Sequence, residues 1–393
     1  MAKQGKGKGR DGTIPSPASP AAERAARQAA NRAEREARRQ ARQAERAARQ
    51  SGKALPTRVD QPALPRSIPF NILLIGQGQR LGVEAVLFAA SLRRHAPDWG
   101  GRLIVAEPRP EGAWAGTRTL MPDAIRQTLA GFGAEILPFT ATHFGASYPY
   151  GNKIEALAIL PPAEPFIFFD SDTLVTGPLD RLAFDFSRPS ASMRRTGTWP
   201  QPPLYGPGYG EIWKSLYDRF GLDYESSLDT SQPDEHWERY LYFNAGWFFG
   251  PDPQDFGRRF LEWALAIRDD PGEALACQTL DVLLDQVVLP LVIHALGGGR
   301  PGPELAGLDG DTTCHYRDLS LLYARESDLA VDTIETLLHD PRLQPLAEAW
   351  EPARKIVLEG IGRNRIRPMF NRCGPLNEGR TRQTLKKAGL WLR

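Results

Sequence analysis

From residue 68 to residue 169 the chain repeats one pattern. A short apolar run is followed by a stretch whose apolar positions lie three and four apart. Ile72 to Ile75 is an apolar run closed by Gly76, the signature of a strand buried on both faces. Gly82 to His95 has helical spacing, and Leu103 to Ala106 reads as a second strand. Asp123 to Ala130 predicts a helix, and Glu135 to Phe139 a third strand. Lys153 to Leu160 predicts another helix with Asn152 as its cap, and Phe166 to Phe169 a fourth strand. Strands alternating with helices predict an α/β fold, a mostly parallel Rossmann-like sheet with helices on both faces. Ligands of such sheets bind outside the carboxyl ends of the strands.

The later pattern is less regular. Residues 186–212 are rich in Pro, Gly, Ser and aromatics, and read as a long irregular loop able to act as a lid. Glu238 to Phe249 is strand-like. Pro253 to Asp269 and Leu280 to Leu296 have amphipathic helical spacing, and from Leu319 the chain reads as mainly helical.

Charge changes the picture at the two ends. Residues 1–60 carry 15 Lys and Arg against 6 Asp and Glu, and residues 352–393 carry 11 against 2. The body between them is acidic, whereas a nucleic-acid binder is expected to put its positive charge on the folded body. No nucleic-acid partner is therefore expected. Residues 21–50 contain helix formers but no Leu, Ile, Val, Phe or Met. Without an apolar stripe they form neither a coiled-coil seam nor a membrane-inserting face. Three regions follow: a basic low-complexity arm and linker over 1–66, an α/β body over 67–318, and a helical, basic segment over 319–393. Cys277, Cys314 and Cys373 are too scattered for a disulfide framework. There is no apolar leader at the N-terminus, and runs such as 287–293 fall short of the about 20 residues that cross a bilayer. The expectation is a cytoplasmic protein, with the basic ends available to an anionic membrane surface.

Candidate chemistry centres on Asp170-Ser171-Asp172, where the fourth strand ends. In an extended chain residues two apart point to one side, so both carboxylates can converge on one point. Alone they would repel and one would hold its proton. A hard divalent cation such as Mn²⁺ or Mg²⁺ resolves this, using one or two carboxylates, waters and phosphate oxygens. The plainer alternative is an Asx-type turn that closes the strand. A calcium loop fails because the required acidic and glycine positions do not follow.

Five stretches in order resemble nucleotide-sugar glycosyltransferases of the GT-A fold, in the glycogenin and bacterial galactosyltransferase-like group (glycosyltransferase family 8). They are Ala85-Val-Leu-Phe-Ala-Ala-Ser91, Asn152-Lys153-Ile-Glu-Ala-Leu, Phe168-Phe-Asp-Ser-Asp172, Phe243-Asn-Ala-Gly246 and Leu284-Asp285-Gln286. The resemblance covers about residues 70–317. It implies transfer of a sugar from a nucleoside-diphosphate donor, UDP favoured, to a glycan, protein or lipid acceptor, with retention. It also implies residue roles. Asp170 would hold the ribose or the metal, and Asp172 the metal and the diphosphate. Lys153 would offset diphosphate charge. Gly76, Gln77 and Gly78 would approach the base, and Asn244, Ala245 and Gly246 the donor sugar. Asp285 and Gln286 would lie near the anomeric carbon.

The resemblance also implies a histidine as third metal ligand, and His315 in Thr313-Cys-His-Tyr316 matches it best. Imidazole suits Mn²⁺ better than Mg²⁺. The Gly and Lys that follow this histidine in the family are absent, since Arg317-Asp318-Leu319 comes next. Trp199, Tyr205, Tyr209 and Trp247 are candidates for stacking on a sugar ring. Two other functions compete. Gly76-Gln-Gly78-Gln-Arg-Leu-Gly82 is one residue off a dinucleotide fingerprint, which would make the chain an oxidoreductase, but no acidic residue stands at the needed distance. A non-catalytic scaffold on the same fold is the other.

Overall fold

The computed structural model describes residues 69–195, 197–370 and 377–392. The basic arm of residues 1–66 lies outside the described residues, as does Cys373.

Four strands form the parallel part of a six-stranded sheet: β1 (Asn71–Ile75), β2 (Leu103–Pro108), β3 (Ala134–Phe139) and β4 (Phe166–Phe169). Two short strands come next in the chain, β5 (Thr173–Val175) and β6 (Ser190–Ser192), followed by β7 (Asn244–Gly250). The sheet order is β3-β2-β1-β4-β7-β6, with β7 antiparallel to β4 and β6 antiparallel to β7. Successive strand residues enter different cores: Ile72 and Leu74 pack on one face, Leu73 and Ile75 on the other. That double burial is why β1 reads as an unbroken apolar run and not as an alternation. On the first face lie helix α1 (Gly78–His95) and α2 (Asp123–Gly131). The mixed, mostly parallel sheet with helices on both faces is the arrangement expected of a GT-A fold.

On the second face, α3 (Asn152–Glu155) and α5 (Pro253–Asp269) pack with α6 (Leu284–Ala295), and α4 (Tyr209–Arg219) shares the same core. The second sheet has two strands, β5 and β8 (Thr313–His315), with Thr173 opposite His315. The C-terminal helices α7 (Leu319–Arg325) and α8 (Asp328–Leu338) share the apolar core of α1, as does Leu385 of α9 (Glu378–Lys387). Four basic residues of this end pair with acids, mostly at the surface: Arg354 with Glu359, Lys355 with Glu351, Arg363 with Glu335, and Arg367 with Asp328. No helix among the described residues is long and apolar enough to cross a membrane.

Four sequence expectations need correction. Asn152 is not a cap but the first residue of α3, because a 3-10 turn over Pro149–Gly151 extends the helix backward. That helix becomes a 3-10 turn over Ala156–Ile159 and stops before Pro161, where the ring disfavours helical backbone in the preceding residue. The segment 186–212 is not wholly irregular. Ser190–Ser192 joins the sheet beside β7 although Ser-Ala-Ser carries no strand signal, and Trp199 is buried against Trp213. The strand expected from Glu238 begins only at Asn244, where its pairing with β4 becomes available. The helix expected from Leu280 begins at Leu284, after Val282 adopts a left-handed φ of 58°.

Candidate functional site

The carboxyl ends of β1 and β4 open into a pocket of about 500 Å³. Gln77, Lys153, Asp170, Asp172, Asn244, Ala245, Asp285, Gln286 and His315 line it, together with residues the sequence did not single out. Gly76, Gly78 and Gly246 are not on that surface. Gly76 packs so close to Val105 and Met121 that a side chain would overlap both. Gly78 takes a φ of 58°, where glycine is unstrained, and lets α1 start directly after β1.

The strand end itself converges the two aspartates. Asp170 donates its backbone N–H to the Gly246 carbonyl at 2.8 Å, which extends the β4–β7 pairing by one residue. Beyond it the chain turns into β5, and β8 pairs there, bringing His315 in. Tyr316 N–H closes the turn onto the Asp172 carbonyl at 3.0 Å. His315 Nε2 then lies 3.1 Å from Asp172 Oδ1 and 3.7 Å from Asp170 Oδ2. Gly246 explains its own identity here, because any side chain would overlap the His315 ring and Asn244 Oδ1. Asn244 in turn accepts the Gly246 N–H at 2.9 Å. Asp170, Asp172 and His315 each offer a ligand atom, and these atoms lie within 4.8 Å of one another. Two carboxylates and one imidazole suit a borderline-hard divalent cation. Burial works to raise the Asp172 carboxyl, but His315, Arg80 and Arg317 outweigh it and hold it at about 2.

Behind the triad is a buried ionic chain. Lys153 Nζ donates to Asp170 Oδ1 at 2.8 Å and to the Ala245 carbonyl at 3.0 Å, and it lies 3.4 Å from Asp285 Oδ2. Burial opposes its charge, yet the two carboxylates keep the ammonium protonated well above the usual lysine range. Asp285 sits in the first turn of α6, where the helix dipole favours an anion. Burial pushes its carboxyl upward, while Lys153 and Tyr148 pull against that. Tyr148 donates its O–H to Asp285 Oδ1 at 2.9 Å and accepts the Asp285 N–H at 2.8 Å. One phenol thus satisfies both a carboxylate oxygen and an N–H that the helix end leaves open. Gln286 Oε1 accepts from the Tyr242 hydroxyl at 3.0 Å. Asn152 bridges Gln77, at 3.0 Å, to the Trp114 indole N–H, at 2.9 Å.

The sequence reading missed Tyr148, the partner of Asp285, and on the pocket wall Tyr150, Asn152 and three arginines: Arg80, Arg317 and Arg382. Only Arg80 carries a local signal. Its partner Glu84, four residues on, sits in the apolar stripe of α1, and a glutamate there requires a cation. The proposed sugar-stacking aromatics divide differently. Trp199 and Trp247 are buried, Tyr209 stacks on Tyr240, and Tyr205 is 92% exposed. Tyr150 and Phe168 are the rings on the pocket surface.

Among solved structures, the galactosyltransferase LgtC in complex with donor and acceptor sugar analogues is similar at 16% identity. The match covers 59% of this chain and 73% of that one, with a TM-score of 0.35. The glycosyltransferase GlyE of Streptococcus pneumoniae TIGR4 is similar at 13% identity over 73% of this chain and 65% of that one, with a TM-score of 0.37. Mouse xyloside xylosyltransferase 1 is similar at 12% identity over 60% and 84%, with a TM-score of 0.32. A search of curated proteins gives no match. The profile of the Rhodobacterales glycosyltransferase domain matches residues 72–297, more than half of the chain. That span contains the strand ending in Asp170 and Asp172, the Lys153 helix and Asp285, so the chain belongs to the Rhodobacterales glycosyltransferase domain family and is a glycosyltransferase.

Proposed function

We propose that this glycosyltransferase takes its sugar from a nucleoside-diphosphate donor, UDP favoured, with a divalent cation, and passes it with retention to a glycan, protein or lipid acceptor. The observation that carries the reading is the Asp170–Asp172–His315 cluster at the carboxyl end of β4, with ligand atoms within 4.8 Å. Mn²⁺ or Mg²⁺ held there would supply Lewis-acid stabilisation of the diphosphate as it leaves. Lys153 holds Asp170 in place and carries fixed positive charge toward the same region. Gln77 and Asn152 offer amide groups to the base or ribose. Asn244, Ala245, Asp285 and Gln286 line the part of the wall assigned to the donor sugar.

Retention is supported by the state of the carboxylates. An inverting transferase needs a general base free to take the acceptor's proton. Among the described residues of the pocket wall, Asp170 and Asp172 serve the metal cluster, Asp285 is clasped by Lys153 and Tyr148, and Glu378 is bound by arginines. In the same reading the chain works in the cytoplasm, with its basic ends able to rest on an anionic membrane. Sedimentation with phosphatidylserine vesicles at low salt tests that part, and no co-sedimentation would remove it.

The central test is calorimetric titration of UDP, then GDP, with and without Mn²⁺, on the wild type and on Asp172→Ala. Metal-dependent binding that is lost in the variant is the expected result. Absence of binding by either nucleotide, with or without metal, would overturn the reading.

A further inference from the structure

The basic C-terminal segment has a place in the pocket that the donor reading leaves unused. Arg80 on α1, Arg317 just after β8, and Arg382 on α9 line the same pocket as the Asp170–Asp172–His315 cluster. Arg317 and Arg382 lie beyond residue 297, where the family match ends. Both converge on one carboxylate. Arg382 donates to Glu378 Oε1 through Nε at 2.9 Å and Nη2 at 2.6 Å. Arg325 meets Glu378 Oε2 at 2.5 Å, and Arg317 lies 3.6 Å from the same oxygen. Glu378 is only 8% exposed. One buried carboxylate among three guanidinium groups leaves this cluster with excess positive charge.

Arg80 joins the cluster from the other side. It pairs with Glu84 at 2.8 Å and donates through Nη2 to the Arg317 carbonyl at 3.1 Å. Arg317 itself holds a left-handed φ of 63°, a strained conformation for a long side chain. Such strain persists only where the surrounding structure fixes it, and it concentrates at binding sites. Arg317 donates to the Arg194 carbonyl at 3.1 Å, and its side chain is only 11% exposed. A guanidinium in that setting gains from an additional anion. Planar, forked donors match phosphate oxygens in particular.

We propose that Arg80, Arg317 and Arg382, the last two positioned by Glu378, form a phosphate subsite beside the metal cluster and distinct from its ligands. The subsite rests on the nucleoside-diphosphate reading for the identity of its substrate. The phosphate is the donor's diphosphate or one carried by the acceptor, and both have the same recognition chemistry.

The test uses the full chain with Mn²⁺, titrated calorimetrically with inorganic pyrophosphate, with UDP, and with inorganic phosphate on the UDP-saturated protein. The variants are Arg382→Gln, Arg382→Lys and Glu378→Gln. The wild type is expected to bind pyrophosphate, and Arg382→Gln to weaken it about tenfold, the effect of losing one charge-assisted contact. Arg382→Lys should restore part of the loss, Glu378→Gln should weaken binding less, and Mn²⁺ affinity should not move. A donor phosphate is identified if UDP weakens in parallel. An acceptor phosphate is identified if UDP is unmoved while phosphate binding to the UDP complex is lost. Equal pyrophosphate and phosphate binding by wild type and Arg382→Gln overturns the subsite, as does a wild type that binds neither. Should Arg382→Gln lower the thermal midpoint by loosening α9, Arg80→Gln on α1 carries the same test. A wild type that binds pyrophosphate but neither UDP nor GDP would overturn the donor reading while the subsite stands.

Discussion

The pocket has two walls of opposite character. One is acidic and deep: Asp170 and Asp285 flank Lys153, with side chains of Lys153 and Asp285 only 6% and 2% exposed, and Asp172 joins Asp170 in the candidate cation cluster. The other is basic and more open at Arg80 and Arg382, which are 36% and 28% exposed, with Arg317 deeper at 11%. The deep wall stands on strand ends and helix starts that belong to the core. The outer wall stands on side chains brought by α1, α9 and the turn after β8. Charges in the deep wall lack water to screen them, so removing one is felt by the whole fold. Charges at the mouth are screened, so removing one is felt mainly by a ligand. Stability and affinity should therefore separate between the walls.

The largest effect expected is from Lys153→Ala. It leaves Asp170 and the buried Asp285 side by side without their cation, at a cost of about 3–5 kcal/mol. Urea unfolding measures it, and Arg382→Gln is the contrast, with less than about 1 kcal/mol expected at its more exposed site. Equal losses in the two variants would abolish the distinction between the walls. Asp172→Ala follows. It removes one member of the candidate cation cluster and the anion that faces His315, Arg80 and Arg317, so kcat/KM should fall on the order of a hundred- to a thousandfold, with a smaller loss of stability than Lys153→Ala. A variant that keeps its activity and its response to Mn²⁺ would assign Asp172 to an ordinary strand-ending turn.

The two walls also differ in how far the sequence reveals them. The deep wall is written locally. A buried strand appears as four apolar residues, and Asp170 and Asp172 follow it at the one spacing that sends both carboxylates to the same side. Lys153, Asn244 and Asp285 stood within short stretches that could be recognised as they are. The sheet was legible for the same reason, since β1, β2 and β4 are buried on both faces and read as apolar runs. The outer wall has no such record. Arg80, Arg317 and Arg382 are separated by 237 residues and then 65, and only the packing of α7 and α9 on the α1 face brings them together. Strand β6 failed for a related reason: Ser-Ala-Ser becomes a strand because β7 offers an open edge, not because of its own propensity. Tyr148 lies 137 residues from Asp285, and nothing in its neighbourhood announces a buried carboxylate partner.

Tyr148→Phe sharpens the comparison inside the deep wall. It keeps the ring packed against Phe144 but removes the hydroxyl, leaving Asp285 Oδ1 and the Asp285 N–H without that partner. The expected loss is about 1–3 kcal/mol of stability, read by thermal or urea unfolding. If Asp285 acts on the donor sugar, kcat should fall further than UDP affinity does. A variant as stable as the wild type would mean that water replaces the phenol, and the deep wall is wetter than its burial indicates.

The last effect lies where the walls meet, at Glu84, and is read against pH. This carboxyl is buried beneath Arg80, and burial, helped by the charge of Asp172, pushes it up to about 8 against the pull of Arg80. Its ordinary value is 4.5, so between 4.5 and about 8 the folded chain keeps a proton that the unfolded chain releases. Unfolding then releases a proton, and stability falls as pH rises through that window. Midway through that window the slope approaches the about 1.4 kcal/mol per pH unit that one whole proton allows. Glu84→Gln fixes the neutral form and keeps an acceptor for Arg80. It should remove this slope, matching the wild type near pH 5 and exceeding it in stability near pH 9. Urea midpoints at the two pH values measure the difference. If the variant is instead less stable at pH 9, Glu84 is ionised and paired in the native state. The Arg80–Glu84 pair would then behave as part of the deep wall, and the boundary between the two walls would move outward to Arg317 and Arg382.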